Sequence, residues 1–172
     1  MQDNLPTIEE APSAASHGRL DGLACLSIDV ETDPASDNRI FKLGAVRSDS
    51  DAALSLDTGR TPRAKVVDRL NEFAQGAQLI VGHNVRRHDL PALGAQFAGL
   101  GCLRLPVIDT LELSPLAFPR NPYHRLVKGY KLVSDSRNDP LGDARLALDL
   151  LADERSVCRD AGLRPIVDLC AA

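Results

Sequence analysis

The sequence predicts a mixed three-layer α/β fold, with a five-stranded sheet flanked by helices. Three observations predict it. Apolar runs of strand length cluster in the first third of the chain and are separated by short polar breaks. Two further short apolar runs, Leu79-Ile80-Val81 and Val107-Ile108, each lie beside a segment of helical period. Helix-start signals stand at Thr61-Pro62 and Asp139-Pro140, so the elements run in the order β-β-β-α-β-α-β-α.

A first strand is predicted over 23–30, and the segment Leu26-Ser27-Ile28-Asp29-Val30-Glu31-Thr32 places Asp29 and Glu31 at its end. A second covers 39–47 and a third, weaker one 52–56, with Asp49-Ser50-Asp51 as the polar break, so an antiparallel meander is expected. Thr61 is read as the N-cap of the first helix and Pro62 as its first residue. Val66, Leu70, Phe73 and Ala77 recur on one face, and Gly76 marks the end. Leu90, Leu93, Phe97 and Leu100 predict a second helix starting near Asp89. Asp139 caps the last long helix, with Pro140 at its first position. Leu141, Ala144, Leu148 and Leu151 lie on the buried face of that helix.

A chain of 172 residues suits one domain with a real core. Aromatics are only 3% and Trp is absent, so aliphatic side chains must fill that core. Residues 1–21 read as a flexible leader, 22–160 as the domain, and 161–172 as a tail or linker. A net charge of −4 does not itself signal a nucleic-acid partner, which would need a local basic patch. The four cysteines show no metal-ligand spacing, and Cys25 and Cys102 sit in or beside apolar runs, as small core residues do. No apolar stretch reaches membrane-spanning length and the N-terminus has no signal-peptide pattern, so a reducing, cytoplasmic location without a membrane partner is expected.

Chemistry concentrates in four carboxylates. Asp29 and Glu31 alternate along a strand and so project to one face. Two readings fit this pair alone: a divalent cation between the carboxylates, or two solvated acids in the loop after the strand. Asp89 follows Val81-Gly82-His83-Asn84 at a helix start, and Asp143 lies in the first turn of the last helix beside Ala144 and Ala147. Strand ends and helix starts meet at one edge of an α/β sheet, the usual place for a site. Each of these two acids alone also suits a helix dipole.

The ordered set Asp-x-Glu, then Gly-His-Asn-x3-His-Asp-Leu-Pro, then Asp-Pro-Leu-x-Asp-Ala resembles the DEDD exonucleases of the ribonuclease-H-like superfamily, from about Leu23 to about Leu151. The resemblance implies a ribonuclease-H-like form of the three-layer fold and 3′–5′ exonuclease activity. It implies two Mg2+ or Mn2+ ions held by Asp29, Glu31, Asp89 and Asp143. It also assigns Thr32 and Asn84, which neighbour these acids, to nucleic-acid contacts. The chemistry is coherent: hard cations take oxygen ligands, and two ions about 4 Å apart stabilise both the attacking and the leaving oxygen of a phosphodiester.

One departure from the family pattern concerns the general base. One branch of the family carries a His five residues before the last Asp, and the other a Tyr four residues before it. Here these positions hold Asn138 and Asp139. An amide nitrogen has no basic lone pair, so Asn138 can hold a water but cannot deprotonate it. The site is then slow or inactive, or water acidified by the metal suffices, or another His substitutes. Of His17, His83, His88 and His124, the last is the preferred substitute because it lies in a basic loop.

No acid occurs over 113–134, a window that holds Arg120, Arg125, Lys128 and Lys131 with His124, Tyr123 and Tyr130. Basic groups bind phosphates and aromatic faces stack on unpaired bases, so Tyr123, His124, Arg125, Lys128 and Lys131 are the expected strand-binding residues. An ordinary solvated loop and helix face is the other reading. The wording of 121–132 and of 81–91 resembles the N-terminal exonuclease-like domain of large bacterial RecQ-like helicase proteins. Three functions follow. The first is a metal-dependent 3′–5′ exonuclease on DNA, single-stranded by preference. The second is a catalytically degenerate module that binds single strands for a helicase domain or repair partner. The third is a structural interaction domain.

Overall fold

The structure, a computed structural model, describes residues 20, 22–50, 52–121, 124 and 139–160. Strands β1 (Cys25–Asp33), β2 (Arg39–Arg47) and β3 (Ala53–Asp57) form the expected antiparallel meander. β4 (Leu79–Gly82) pairs parallel to β1 on its other side, and β5 (Val107–Asp109) pairs parallel to β4. The sheet order is β3-β2-β1-β4-β5, which makes β1 the central strand. The helices are α1 (Arg63–Phe73), α2 (Asp89–Gln96), α3 (Thr110–Ala117) and α4 (Pro140–Asp160).

Alternation along β1 sorts its side chains between two cores. Leu26, Ile28 and Val30 pack with Val66 and Leu70 of α1 and Leu93 of α2. On the opposite face Cys25 packs with Val81 and Ile108, Leu113 of α3, and Ala144, Ala147, Leu148 and Leu151 of α4. Each fully buried Leu or Ile contributes about 1.5–3 kcal/mol, so these two aliphatic layers hold the sheet between its helices without tryptophan. Cys25, Cys102 and Cys158 are buried free thiols. Among the described residues, no helix is long and apolar enough to cross a membrane.

The structure departs from the expected elements at several points. β1 continues to Asp33, so Asp29 and Glu31 lie inside the strand rather than at its end or in a following loop. α1 begins one residue later than expected: Pro62 is its N-cap, without a side-chain cap, and Thr61 precedes it. α2 stops at Gln96; Phe97 and Leu100 are buried as their period implies, but Phe97 has already left the helical conformation and the chain turns through Gly99 at φ +92° before Leu100. α3 was not expected. It follows β5 directly and contains Pro115, so neither a polar break nor a clean helical period announces it. Of the expected leader, residues 1–21, only Leu20 is described, and it is buried; the rest of it and the expected tail, residues 161–172, lie outside the described residues.

Candidate metal centre

Asp29 and Glu31 share the parity of Cys25 and Ser27 on β1, so they project toward the α3/α4 side of the sheet. Asp143 reaches the same point from the first turn of α4. One ligand oxygen from each of Asp29, Glu31 and Asp143 lies within 4.8 Å of the others, and all three residues are partly exposed.

Two contacts with the sheet set the position of Asp143. Gly44 stands opposite Asp29 in the β1–β2 register. A Cβ on Gly44 would sit 2.3 Å from Leu141 N and 2.4 Å from the Pro140 carbonyl carbon, so the first turn of α4 rests directly on the backbone of β2. The buried Ser27 Oγ donates to the carbonyl of Ala144 at 2.7 Å. Asp139 completes the turn as expected, accepting from Gly142 N at 3.0 Å. Gly44 and Ser27 escaped the sequence reading, because a glycine or serine inside an apolar strand carries no sign of the helix that packs on it.

Asp89, the expected fourth ligand, is buried and stands outside the group of three. Its Oδ1 accepts from Val30 N at 2.8 Å. The last β1–β4 pair is Ser27–Val81, so this amide lies beyond the reach of β4 and the carboxylate takes the place of a strand partner. Burial pushes the Asp89 pKa up to about 7; hydrogen bonds with the Val30 and Asp89 backbone oppose the shift, and the charges of Asp109 and Glu31 add to it.

The loop between β4 and α2 is held by an acid the sequence reading missed. Asp109, 4% exposed at the end of β5, accepts from Asn84 N at 2.8 Å and Arg86 N at 3.1 Å, and caps α3 by accepting from Leu111 N at 3.0 Å. The available signal was an Asp between a buried apolar pair and Thr-Leu, an N-cap pattern. Arg86 donates to the Val107 carbonyl and pairs with Glu112 at 3.4 Å. Asn84 adopts φ +62°, a left-handed conformation that asparagine tolerates, so the structure uses its backbone to aim the loop. Thr32 follows Glu31 across a register shift and pairs with Ile40.

His83 Nδ1 lies 2.9 Å from Thr110 Oγ1, and its ring also hydrogen-bonds the backbone of His124. Burial lowers the His83 pKa, opposed by Asp109 and by that backbone bond. The partly buried His124 thus lies against the β4–α2 loop, while His88 is exposed and gives α2 no side-chain cap. Tyr123, Arg125, Lys128, Lys131, Asn138 and His17 lie outside the described residues. The donor set suits a hard divalent cation: three accessible carboxylates converge, and a fourth stands close enough for the Glu31 charge to perturb it.

Two solved structures share this architecture. NrnC from Brucella melitensis superposes with a TM-score of 0.58 at 17% identity, covering 93% of this chain and 84% of NrnC. The same protein bound to pGG gives a TM-score of 0.61 at 17% identity, covering 93% of this chain and 83% of that one. No protein-family model and no curated protein matches the chain. At this identity the likeness is one of fold, and that fold is ribonuclease-H-like: a mixed five-stranded sheet flanked by helices, with the acids of β1 and α4 on one side.

Proposed function

We propose that this chain is a divalent-metal-dependent 3′–5′ exonuclease that hydrolyses phosphodiester bonds of short single strands. The observation that carries this reading is the convergence of Asp29, Glu31 and Asp143 to within 4.8 Å. These three acids, joined by Asp89, would hold two Mg2+ or Mn2+ ions. Such ions would supply Lewis-acid stabilisation at the phosphate and acidify water. The chain's own part is to fix the acids on β1, α2 and α4, to hold water through Asn138, and to bind the strand through Thr32, Asn84, Tyr123, His124, Arg125, Lys128 and Lys131. The pGG-bound neighbour supports a short oligonucleotide as substrate. The helicase-like wording of 81–91 and 121–132 supports single-stranded DNA and a helicase domain or repair partner, and the buried free thiols of Cys25, Cys102 and Cys158 support a reducing, cytoplasmic setting.

A second reading is favoured by one residue. Asn138, at the position of the family's proton acceptor, suits a degenerate module that binds single strands without cutting them. Both readings are tested on 5′-labelled oligonucleotides, ribo and deoxyribo, two to ten nucleotides long, with Mn2+ and with an Asp29→Ala/Glu31→Ala control. Metal-dependent shortening from the 3′ end that the control abolishes supports the nuclease. Retained binding without shortening replaces it with the module, and a large gain from Asn138→His would locate the defect in the missing base.

A further inference from the structure

A groove of about 330 Å³ opens at the C-terminal end of α2, lined by Arg39, Arg60 and Arg63 with Thr58, Thr61 and Gln96. The three arginines come from three places: the start of β2, the turn after β3, and the first residue of α1. Their convergence stands out in a chain of net charge −4. Only Arg60 is paired, with Asp57 at 3.4 Å, and the side chain of Arg60 is 89% exposed. Among the described residues Arg39 and Arg63 are exposed and form no ion pair. The first turn of α1 carries no acid to offset them.

Hydrogen bonds tie the floor of this groove together. Thr58 Oγ1 donates to the Ile40 carbonyl at 2.6 Å, while Gln96 accepts from Ile40 N at 2.9 Å and donates to the Asn38 carbonyl at 3.1 Å. The guanidinium groups therefore project from a fixed frame, and exposure removes any role for them in the core. Arginine's planar fork matches phosphate oxygens.

Its position ties the groove to the metal centre. Arg39 pairs with Asp33, two residues beyond Glu31 on β1. Strand geometry then puts the Arg39 and Glu31 backbones roughly 8 Å apart. α2 also links the two places, with Asp89 at its start and Gln96 at its end, about 10 Å apart at helical rise.

We infer that Arg39, Arg60 and Arg63 form a second phosphate-binding site, which holds the backbone of a single strand whose end lies at the metal centre. The inference deepens the proposed function and shares its choice of ligand, but it requires no turnover. The acids face the α3/α4 side of the sheet and the groove opens on the α1/α2 side, so a strand that touches both must pass round the sheet edge, a path suited to a ten-nucleotide strand rather than to a dinucleotide.

The test is metal-free binding of a fluorescent ten-nucleotide single strand and of a dinucleotide, across 50–200 mM salt, for the wild-type chain and for Arg39→Ala/Arg63→Ala. Both side chains are exposed, so an unchanged thermal midpoint verifies folding. The expected result is about a tenfold loss for the ten-nucleotide strand. The salt slope should shrink by about 1.4, the sum for two lost phosphate contacts on a single strand. Arg39→Lys/Arg63→Lys should recover most of the affinity. Equal affinity of wild type and double Ala variant for the longer strand would overturn the groove, as would an equal loss for the dinucleotide. If the wild type cuts nothing but the length-dependent loss appears, the groove stands and the nuclease reading falls.

Discussion

Asp89 accepts a hydrogen bond from the main-chain amide of Val30 at 2.8 Å, and Val30 is the residue between Asp29 and Glu31. The acid from α2 is thereby fastened to the strand that carries Asp29 and Glu31. The same bond makes Asp89 a structural residue as well as a proposed ligand, and substitutions separate the two roles. Asp89→Ala strands a main-chain amide in a buried setting and should cost about 1–3 kcal/mol. Asp89→Asn keeps an acceptor for Val30 and should unfold near the wild-type temperature. Both should lose most of the thermal stabilisation given by millimolar Mn2+, read by differential scanning fluorimetry with and without metal.

Gly44 supports the centre from beneath. A Cβ there meets main-chain atoms of Pro140 and Leu141, not a flexible side chain, so Gly44→Ala can be accommodated only by lifting the start of α4 from the sheet. Asp143 moves with that turn. The expected cost is about 1–3 kcal/mol of stability, with a drop in Mn2+ affinity of tenfold or more by titration calorimetry. Stability loss with unchanged metal affinity would show that Asp143 does not depend on this contact.

Two buried acids predict how stability varies with pH. Glu154 of α4 lies fully buried, with Oε1 2.5 Å from Ser114 Oγ of α3; burial pushes its pKa up to about 8, opposed by the Ser114 bond and aided by Asp109 and Asp153. Asp89 is raised to about 7. Each holds its proton in the folded chain at a pH where the unfolded chain has released it. Their contribution is therefore complete below about pH 4, falls as pH rises, and levels off above about 8. Glu154→Gln should match the wild type at pH 5 and melt several degrees higher at pH 8.5, at about 2–4 °C per kcal/mol. A wild-type midpoint that does not fall between pH 5 and 8.5 in metal-free buffer would contradict the protonated, buried Glu154.

The sheet was largely legible because its signals are local. β2 spans the predicted 39–47, and the Asp139-Pro140 start of α4 holds because capping involves only a few consecutive residues. What stayed hidden depends on contacts distant in sequence. Gly44 looks like a weak point in an apolar strand until α4, some hundred residues later, lies across it. α3 follows β5 without a break, so apolar period alone could not separate them. Asp29, Glu31, Asp89 and Asp143 were read together from the sequence, yet only the fold shows that Asp89 is buried on the Val30 amide and stands outside the group formed by the other three acids.

Asp109 shows how a residue outside the carboxylate motifs can govern them. It accepts hydrogen bonds from two amides of the β4–α2 loop and one of α3 at once, and its charge also raises the proton affinity of Asp89. Asp109→Ala leaves the Asn84 and Arg86 amides without their acceptor and should cost about 2–4 kcal/mol, a fall in midpoint of roughly 5–15 °C. Asp109→Asn retains one acceptor oxygen and removes the charge. It should recover part of that stability and lower the pKa of Asp89, which shifts the pH midpoint of Mn2+ binding downward. NMR titration of the Asp89 carboxyl in the two variants measures this directly. A pKa that does not move in Asp109→Asn would reduce Asp109 to a loop clamp with no electrostatic reach into the centre.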